Sequence, residues 1–438
     1  MNGGALGSWG RYPRFLQRGH AIHWQEDVAA ALASAGGPAP ALAYGCGRSY
    51  GDSCLAVSGE VLAMCGMNRL VSADWQTGRI VAEAGLTLAE LIRISLPRGW
   101  FPEVTPGTKF VTLGGAVAND VHGKNHHVKG TFGRHVARLT LYRSEDGVIA
   151  ASPLERPELF AATVGGLGLT GIILTVELQL RPLTSASIDQ RRIRFGGLDE
   201  FFDLARRHDA DHEYTVAWID CLARGRNLAR GHYIAGNHAR HGALEWRPPG
   251  GLSVPIDPPV APINRWSLRA FNFLLYHAQL KRDVRKRVAY DRYFYPLDRV
   301  SGWNRMYGKA GFQQYQCVVP QQSSREIIGA VIREISNSGS GSFLAVLKQC
   351  GSLASPGLLS FPLHGVSLAL DFPQRADVNV PLFDRLDALV HEAGGRLYPA
   401  KDAHMSAAHF RRAYPAWCRV EALRDPRLMS RFWQRVIR

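Results

Sequence analysis

At 438 residues the chain exceeds the length over which one core usually keeps growing, so two folded units are expected. Its 46% hydrophobic and 20% charged content is that of a globular protein and excludes a disordered one. A formal charge of +15 favours anionic partners, but the arginines are scattered and no zinc-finger, RNP or basic-zipper pattern is present, which argues against nucleic acid.

In chain order, Arg11, Arg14 and Arg18 are followed by no uninterrupted apolar segment, so no secretory signal is read and cytoplasmic residence is expected. No apolar run approaches the roughly 20 residues that span a bilayer. The seven cysteines (46, 54, 65, 221, 317, 350 and 418) are odd in number and lack CxxC spacing, as expected of reduced thiols. Arg79 to Ala84 alternates as a strand, and Thr87 with Glu90 predicts a capping box opening a helix over 88–95. Val136 to Leu141, the Asp146-Gly147 turn and Val148 to Ala151 predict a hairpin; a helix over 157–163 and a strand over 171–180 follow. Pro182 suggests a boundary near 185.

Beyond it, strands are expected at 188–195, 213–220, 312–319, 342–349 and 365–372, with helices at 198–207 and 323–336, as in an antiparallel sheet with helices on one face. The stretch 237–262, rich in Pro, Gly, His and Arg, predicts a long mobile loop. Segment 263–290 sets Trp266, Leu268, Phe271, Phe273, Leu274 and Leu275 beside Lys281, Arg282, Arg285, Lys286 and Arg287. Two readings stay open for it: a helix packed on its own domain with a solvated basic end, or an interfacial helix at a membrane.

Three glycine-rich segments carry the chemistry. Tyr44-Gly45-Cys46-Gly47-Arg48-Ser49-Tyr50-Gly51-Asp52 follows a short apolar strand, and its glycines let backbone N–H groups approach a phosphate, with Arg48 and Ser49 as side-chain donors. The segment Pro106 to His127 holds a second glycine pair after Thr112, and Val164 to Gly171 a third cluster. None is a Walker A loop, and GxGxxG does not open a helix as a Rossmann fingerprint would. His122, His126 and His127 invite a metal reading, which Gly123, Lys124 and the absence of a carboxylate or cysteine at ligand spacing disfavour; no metal is expected. His122, inside a glycine-lined loop, is the better candidate for proton transfer.

The motifs GxGRSYGD, PGTxxVTxGGAxxxDxHGKNHH, VGGxGLTGII and the later YxAKD, with Gly311 to Gln316 and Gly394 to Tyr398, run from about residue 10 to the C-terminus. In that order they resemble the oxidase subunits of decaprenylphosphoryl-β-D-ribose 2-epimerases. These are a branch of the vanillyl-alcohol-oxidase flavoproteins, whose fold is similar to that of para-cresol methylhydroxylase (PCMH).

The resemblance implies an α+β, two-domain PCMH-type fold: an FAD-binding domain at 10–185, an antiparallel-sheet cap at 186–395, and a segment at 396–438 returning to the flavin. It implies that FAD is held by Ala43, Tyr44, Gly45, Cys46, Gly47, Arg48, Ser49, Tyr50, Gly51, Asp52 and Ser53. Gly107, Thr112, Leu113, Gly114, Gly115, His122, Gly123, Lys124, Asn125, Ile172 and Tyr398 complete that set. Where covalent members of the wider family carry Gly-His-Ser, this chain has Gly47-Arg48-Ser49, so FAD cannot be attached through that histidine and noncovalent binding is expected.

Lys401 matches the family's lysine beside the flavin ring, where a cation would stabilise the reduced anionic form. Tyr50, Gln314, Gln316, Lys348 and Ser367 match substrate-side positions, and His122 or Lys401 would take the hydroxyl proton. Ser367 and Ala369 stand where the best-known mycobacterial members have Asn and Cys, so packing near the substrate should differ and inhibitors that trap that cysteine should not attach. The implied reaction oxidises the C2 hydroxyl of a polyprenyl-phosphate ribose to the 2-keto sugar, with a separate NAD(P)H-dependent short-chain reductase completing epimerisation to arabinose. A lipid-linked substrate would give the basic charge and segment 263–290 a use at the inner membrane. The rival readings are an FAD-dependent alditol or aldonolactone oxidase acting on a soluble sugar, and a non-redox binder of anions or nucleic acid.

Overall fold

The computed structural model describes residues 6–35, 37, 39–245, 250–258 and 262–438. Its first part holds two sheets. Strands Arg18–Ala21, Glu60–Ala63 and Leu42–Tyr44 pair in parallel, in that order. A second, antiparallel sheet runs Leu70–Asp74, Arg79–Glu83, Ile172–Pro182, Val136–Arg143 and Gly147–Ala151, with Trp100–Pro102 also pairing to Ile172–Pro182. Thr87 and Glu90 form the capping box of helix Leu88–Ser95, whose Leu88, Leu91 and Ile92 are buried. The strand ending at Pro182 runs to the proline itself, which pairs with Trp100 at the edge.

From Ser187 the chain builds an eight-stranded, wholly antiparallel sheet. Its order is Asp283–Ala289, Ser187–Phe195, Gly231–His238, Tyr214–Ile219, Ala345–Cys350, Gly365–Pro373, Phe312–Pro320 and Arg396–Leu397. Side chains alternate across it. Tyr315, Cys317, Leu347, Leu368 and Leu370 point to a buried apolar core shared with helices Leu198–His208, Ser324–Ser338 and Ala376–Glu392. Residues at the intervening positions, Gln314, Gln316, Val346, Lys348, Ser367 and Ala369, line a cleft on the other side.

Two expectations change. Segment 263–290 is not one helix: Asn264 caps helix Arg265–His277, and Asp283–Ala289 is an edge strand paired with Ser187–Phe195. Arg285, Lys286 and Arg287 are charges on that edge strand, of the kind that keep a sheet edge from pairing further, not the end of a helix. The loop expected at 237–262 falls partly on 246–249 and 259–261, outside the described residues; within it, strand Gly231–His238 runs on to His238 and Leu252–Ser253 pairs with Val300–Ser301.

The C-terminal segment closes onto both parts. Arg396–Leu397 joins the large sheet, while Leu428 bridges Ala41 and Ser430 bridges Ala56. Arg435 forms ion pairs with Asp52 and Asp402 at 2.9 and 2.8 Å, both carboxylates being buried.

Candidate active site

A cleft of about 430 Å³ lies between the glycine loops and the front of the large sheet, within the size range of small-molecule sites. The first loop is fixed from both ends of the chain: Trp9 N–H donates to the Ser49 carbonyl at 2.8 Å and Tyr50 N–H to the Ala400 carbonyl at 2.9 Å. The loops also press on each other. A Cβ on Gly45 would fall 2.5 Å from Thr112 Oγ1, so only glycine permits this approach, and that same Thr112 oxygen caps helix Leu113–Ala118.

The cleft fits a phosphate-bearing dinucleotide. Arg48 Nε and Ser53 Oγ are buried there without a hydrogen-bond partner, donors of the kind a pyrophosphate would satisfy. A Cβ on Gly107 would meet nothing within 4 Å, which leaves an open lane along that wall.

Most residues named from the sequence line this cleft: Ala43 to Tyr50, Ser53, Gly107, Thr112, Gly114, Gly115, His122, Gly123, Lys124, Tyr398, Lys401 and the substrate-side Gln314, Gln316, Lys348 and Ser367. Five stand behind it. Leu113 and Ile172 are core residues, and Asn125 is buried with its amide donating to the Glu103 carbonyl at 2.8 Å. Asp52 faces Arg435, and Gly51 lies where a Cβ would fall 1.6 Å from the Asp402 carbonyl oxygen. These positions support the wall rather than line it.

On the sheet side, register builds the site. Lys348 lies opposite Ser367, Gln316 opposite Ala369, and Gln314 opposite Asp371. Lys348 Nζ contacts His122 Nδ1 and donates to the Gly123 carbonyl at 2.9 Å. Gln316 Nε2 lies 3.2 Å from His122 Nε2. With Nδ1 accepting from Lys348, the neutral ring carries its proton on Nε2, and the Gln316 amide satisfies it when turned to present its oxygen. Burial and the Lys348 cation hold His122 well below the usual imidazole range.

Lys401 lies over the Tyr50 ring, its Nζ 3.5 Å from the centroid. Burial brings its ammonium down to about 7, against an opposing pull from Asp371. Burial likewise pushes Asp371 up to about 7, despite Gln314 donating to it at 2.7 Å. A buried amine near neutrality is equipped to exchange a proton. His122 is not, because its Nδ1 lone pair is already engaged. Asp371 was missed from the sequence, although its alternation with Ser367 and Ala369 places it on the cleft face.

Lys124 also lines the cleft, with its ammonium engaged by the protein. Its Nζ donates to the Tyr293 carbonyl and lies 4.7 Å from that ring's centroid, and burial brings its ammonium down to about 7. His122, His126 and His127 do not converge: His126 Nδ1 accepts from Gly351 N–H at 3.2 Å and His127 Nε2 lies 3.0 Å from the His212 carbonyl. Cys46, in the first loop, has its sulfur 3.6 Å from that of Cys65, and both are free thiols.

A family model described as an FAD binding domain matches residues 22–152. Decaprenylphosphoryl-beta-D-ribose oxidase of Mycolicibacterium smegmatis is 36% identical over 400 residues, which are 88% of this chain and 86% of that protein. An uncharacterized protein from the mprA 5′ region of Streptomyces coelicolor is 35% identical over 353 residues, 75% of this chain and 92% of its own. Cytokinin dehydrogenase 2 of Oryza sativa subsp. japonica is 29% identical over 235 residues, 50% of this chain and 40% of its own.

Proposed function

This chain belongs to the family of FAD-binding oxidoreductases that includes decaprenylphosphoryl-β-D-ribose oxidase, and we propose that it oxidises the C2 hydroxyl of a polyprenyl-phosphate-linked ribose. The observation that carries this reading is that Lys401, Lys348 and Gln316 face the glycine-loop wall across one cleft, with Lys348 and Gln316 reaching His122 on that wall. When bound, FAD supplies the two-electron acceptor for the hydride leaving C2. Lys401 Nζ, as the free amine, takes the hydroxyl proton while the C2–H bond breaks and the C2=O bond forms. The resulting ammonium would leave a positive charge beside the cofactor site. Neutral His122, with both ring nitrogens taken by Lys348 and Gln316, holds those two side chains in place, and the remaining donors of Lys348 and Gln314 serve the sugar's hydroxyls and phosphate.

The FAD is held without a covalent bond, because Arg48 stands where a linking histidine would be. Acid precipitation is expected to release all the flavin into the supernatant; flavin left on the chain would overturn this. The product ketone calls for a separate NAD(P)H-dependent reductase.

A lipid-linked substrate is supported by the face of helix Arg265–His277 that carries Trp266, Phe273 and Leu274, 73, 55 and 68% exposed, beside Arg265 and Arg269. Among the described residues no helix is long and apolar enough to cross a membrane, so the contact proposed is peripheral. Replacing those three residues by serine spares the sheet strand Asp283–Ala289. It should abolish sedimentation with anionic vesicles and leave the flavin spectrum unchanged.

The deciding test is anaerobic bleaching of the flavin by polyprenyl-phosphate ribose, free ribose, alditols and aldonolactones. Bleaching by the lipid-linked sugar alone is expected. Rapid bleaching by a free alditol or lactone, with none by the lipid-linked ribose, would establish the soluble-sugar reading instead.

A further inference from the structure

On the back of the large sheet, away from the cleft, Asp387, His391 and His409 each offer a ligand atom, and these atoms all lie within 4.8 Å of one another. Among the described residues no other three His, Cys, Asp or Glu side chains meet in this way. We infer that they form a structural site for a zinc-class divalent cation, which ties the C-terminal segment to helix Ala376–Glu392.

The sequence spacing sets up two ligands. Asp387 and His391 are four residues apart, so they project from the same face of that helix, and both are buried. His409 comes from the separate helix Ala407–Ala413, with its ring stacked on that of His391 at a centroid distance of 3.9 Å. Buried imidazole nitrogens are ordinarily hydrogen-bonded, yet His391 Nε2 and His409 Nδ1 are both buried without partners.

The carboxylate is already oriented. Tyr315 Oη donates to Asp387 Oδ1 at 3.0 Å, and Oδ2 lies 3.8 Å from His409 Nδ1. A hydrogen bond to the oxygen that does not bind the ion is the usual outer support of a metal carboxylate. Two imidazoles and one carboxylate suit zinc, which binds such ligands at about 2.0–2.2 Å in a tetrahedron and so needs ligand atoms about 3.3–3.6 Å apart. Closing the cluster to that size asks for side-chain adjustments of about an ångström. His404 stands beside the cluster, its Nε2 3.5 Å from Asp387 Oδ2 and its Nδ1 3.3 Å from Asp402 Oδ1, so it pairs with these carboxylates and a solvent molecule is left to complete the ion's fourth position.

Location gives the ion a role. His404 and His409 follow Lys401 by three and eight residues, and Tyr315 lies between the cleft-lining Gln314 and Gln316. An ion here would fix the turn that presents Lys401 from behind, without touching substrate.

The test uses tag-free holoprotein, stripped with a chelator, dialysed, and titrated with zinc chloride. One zinc per chain is expected by elemental analysis after desalting, with a melting temperature raised by on the order of 5 °C. Both effects should vanish in His409→Asn, a half-exposed position, and in the nearly isosteric Asp387→Asn, with retained FAD absorbance showing that each variant is folded. Absence of stoichiometric zinc in the wild type would overturn the inference. So would undiminished binding in the folded variants.

Discussion

The two walls of the cleft are made in different ways. The cofactor wall is mostly backbone: glycines at 45, 47, 107, 114 and 115 bring main chain to the surface, and side chains matter mainly where Arg48 and Ser53 point inward. The sheet wall is made of side chains alone, taken from alternate positions of adjacent strands, with Lys401 added by the turn that follows Arg396–Leu397. An added atom should therefore damage the first wall, and a removed one the second.

The largest effect is expected on the sheet wall. Lys401→Ala removes the proposed base and should lower kcat by roughly 10²–10⁴-fold, a typical contribution for a positioned proton acceptor. Flavin content measured on the same sample separates this from loss of FAD, and a kcat within a few-fold of wild type would exclude the role. Next comes the fastening between the walls. Arg435→Ala strands two buried carboxylates, Asp52 behind the glycine loop and Asp402 beside Lys401, and should cost about 3–5 kcal/mol in denaturant unfolding.

On the cofactor wall, Gly107→Ala adds a methyl group where the protein alone has room, so the apoprotein's melting temperature should be unchanged. The methyl would intrude on FAD at an overpacking cost of about 1–3 kcal/mol, roughly 5–150-fold in affinity by flavin fluorescence titration. A destabilised apoprotein with normal FAD affinity would contradict the lane along Gly107.

The contrast also explains what the sequence could reveal. A backbone wall is written contiguously, so its loops were legible as glycine motifs, and the Thr87 and Glu90 capping box placed helix Leu88–Ser95 to the residue. A side-chain wall depends on register across strands far apart in the chain. Lys348 and Gln316 could be named from resemblance, but their convergence on His122 is a product of pairing. Asp371 escaped for the same reason: an acidic residue ending an apolar strand looks solvated until Gln314 is found opposite it. Segment 263–290 misled because basic residues on an edge strand and at the end of an amphipathic helix look alike without the partner strand Ser187–Phe195. The cluster of Asp387, His391 and His409 was hidden because its third member lies on another helix.

The finest distinction concerns which group takes the proton, and pH separates the candidates. Burial depresses Lys401 to about 7, so its reactive free amine grows in as pH rises through neutrality, and kcat/KM should climb there and then level off. His122 lies well below its usual range and is already neutral throughout, so a rate governed by it would be flat across the same interval. Asp371 supplies the sharper test, because its carboxylate raises the Lys401 pKa. Asp371→Asn keeps an acceptor for Gln314 while removing the charge, and the amine should then lose its proton more readily. The rising limb is expected to move to lower pH, with activity gained near neutrality, where the wild-type Asp371 is partly ionised, and the alkaline plateau little changed. An unmoved limb would mean that the Asp371 charge does not act on Lys401.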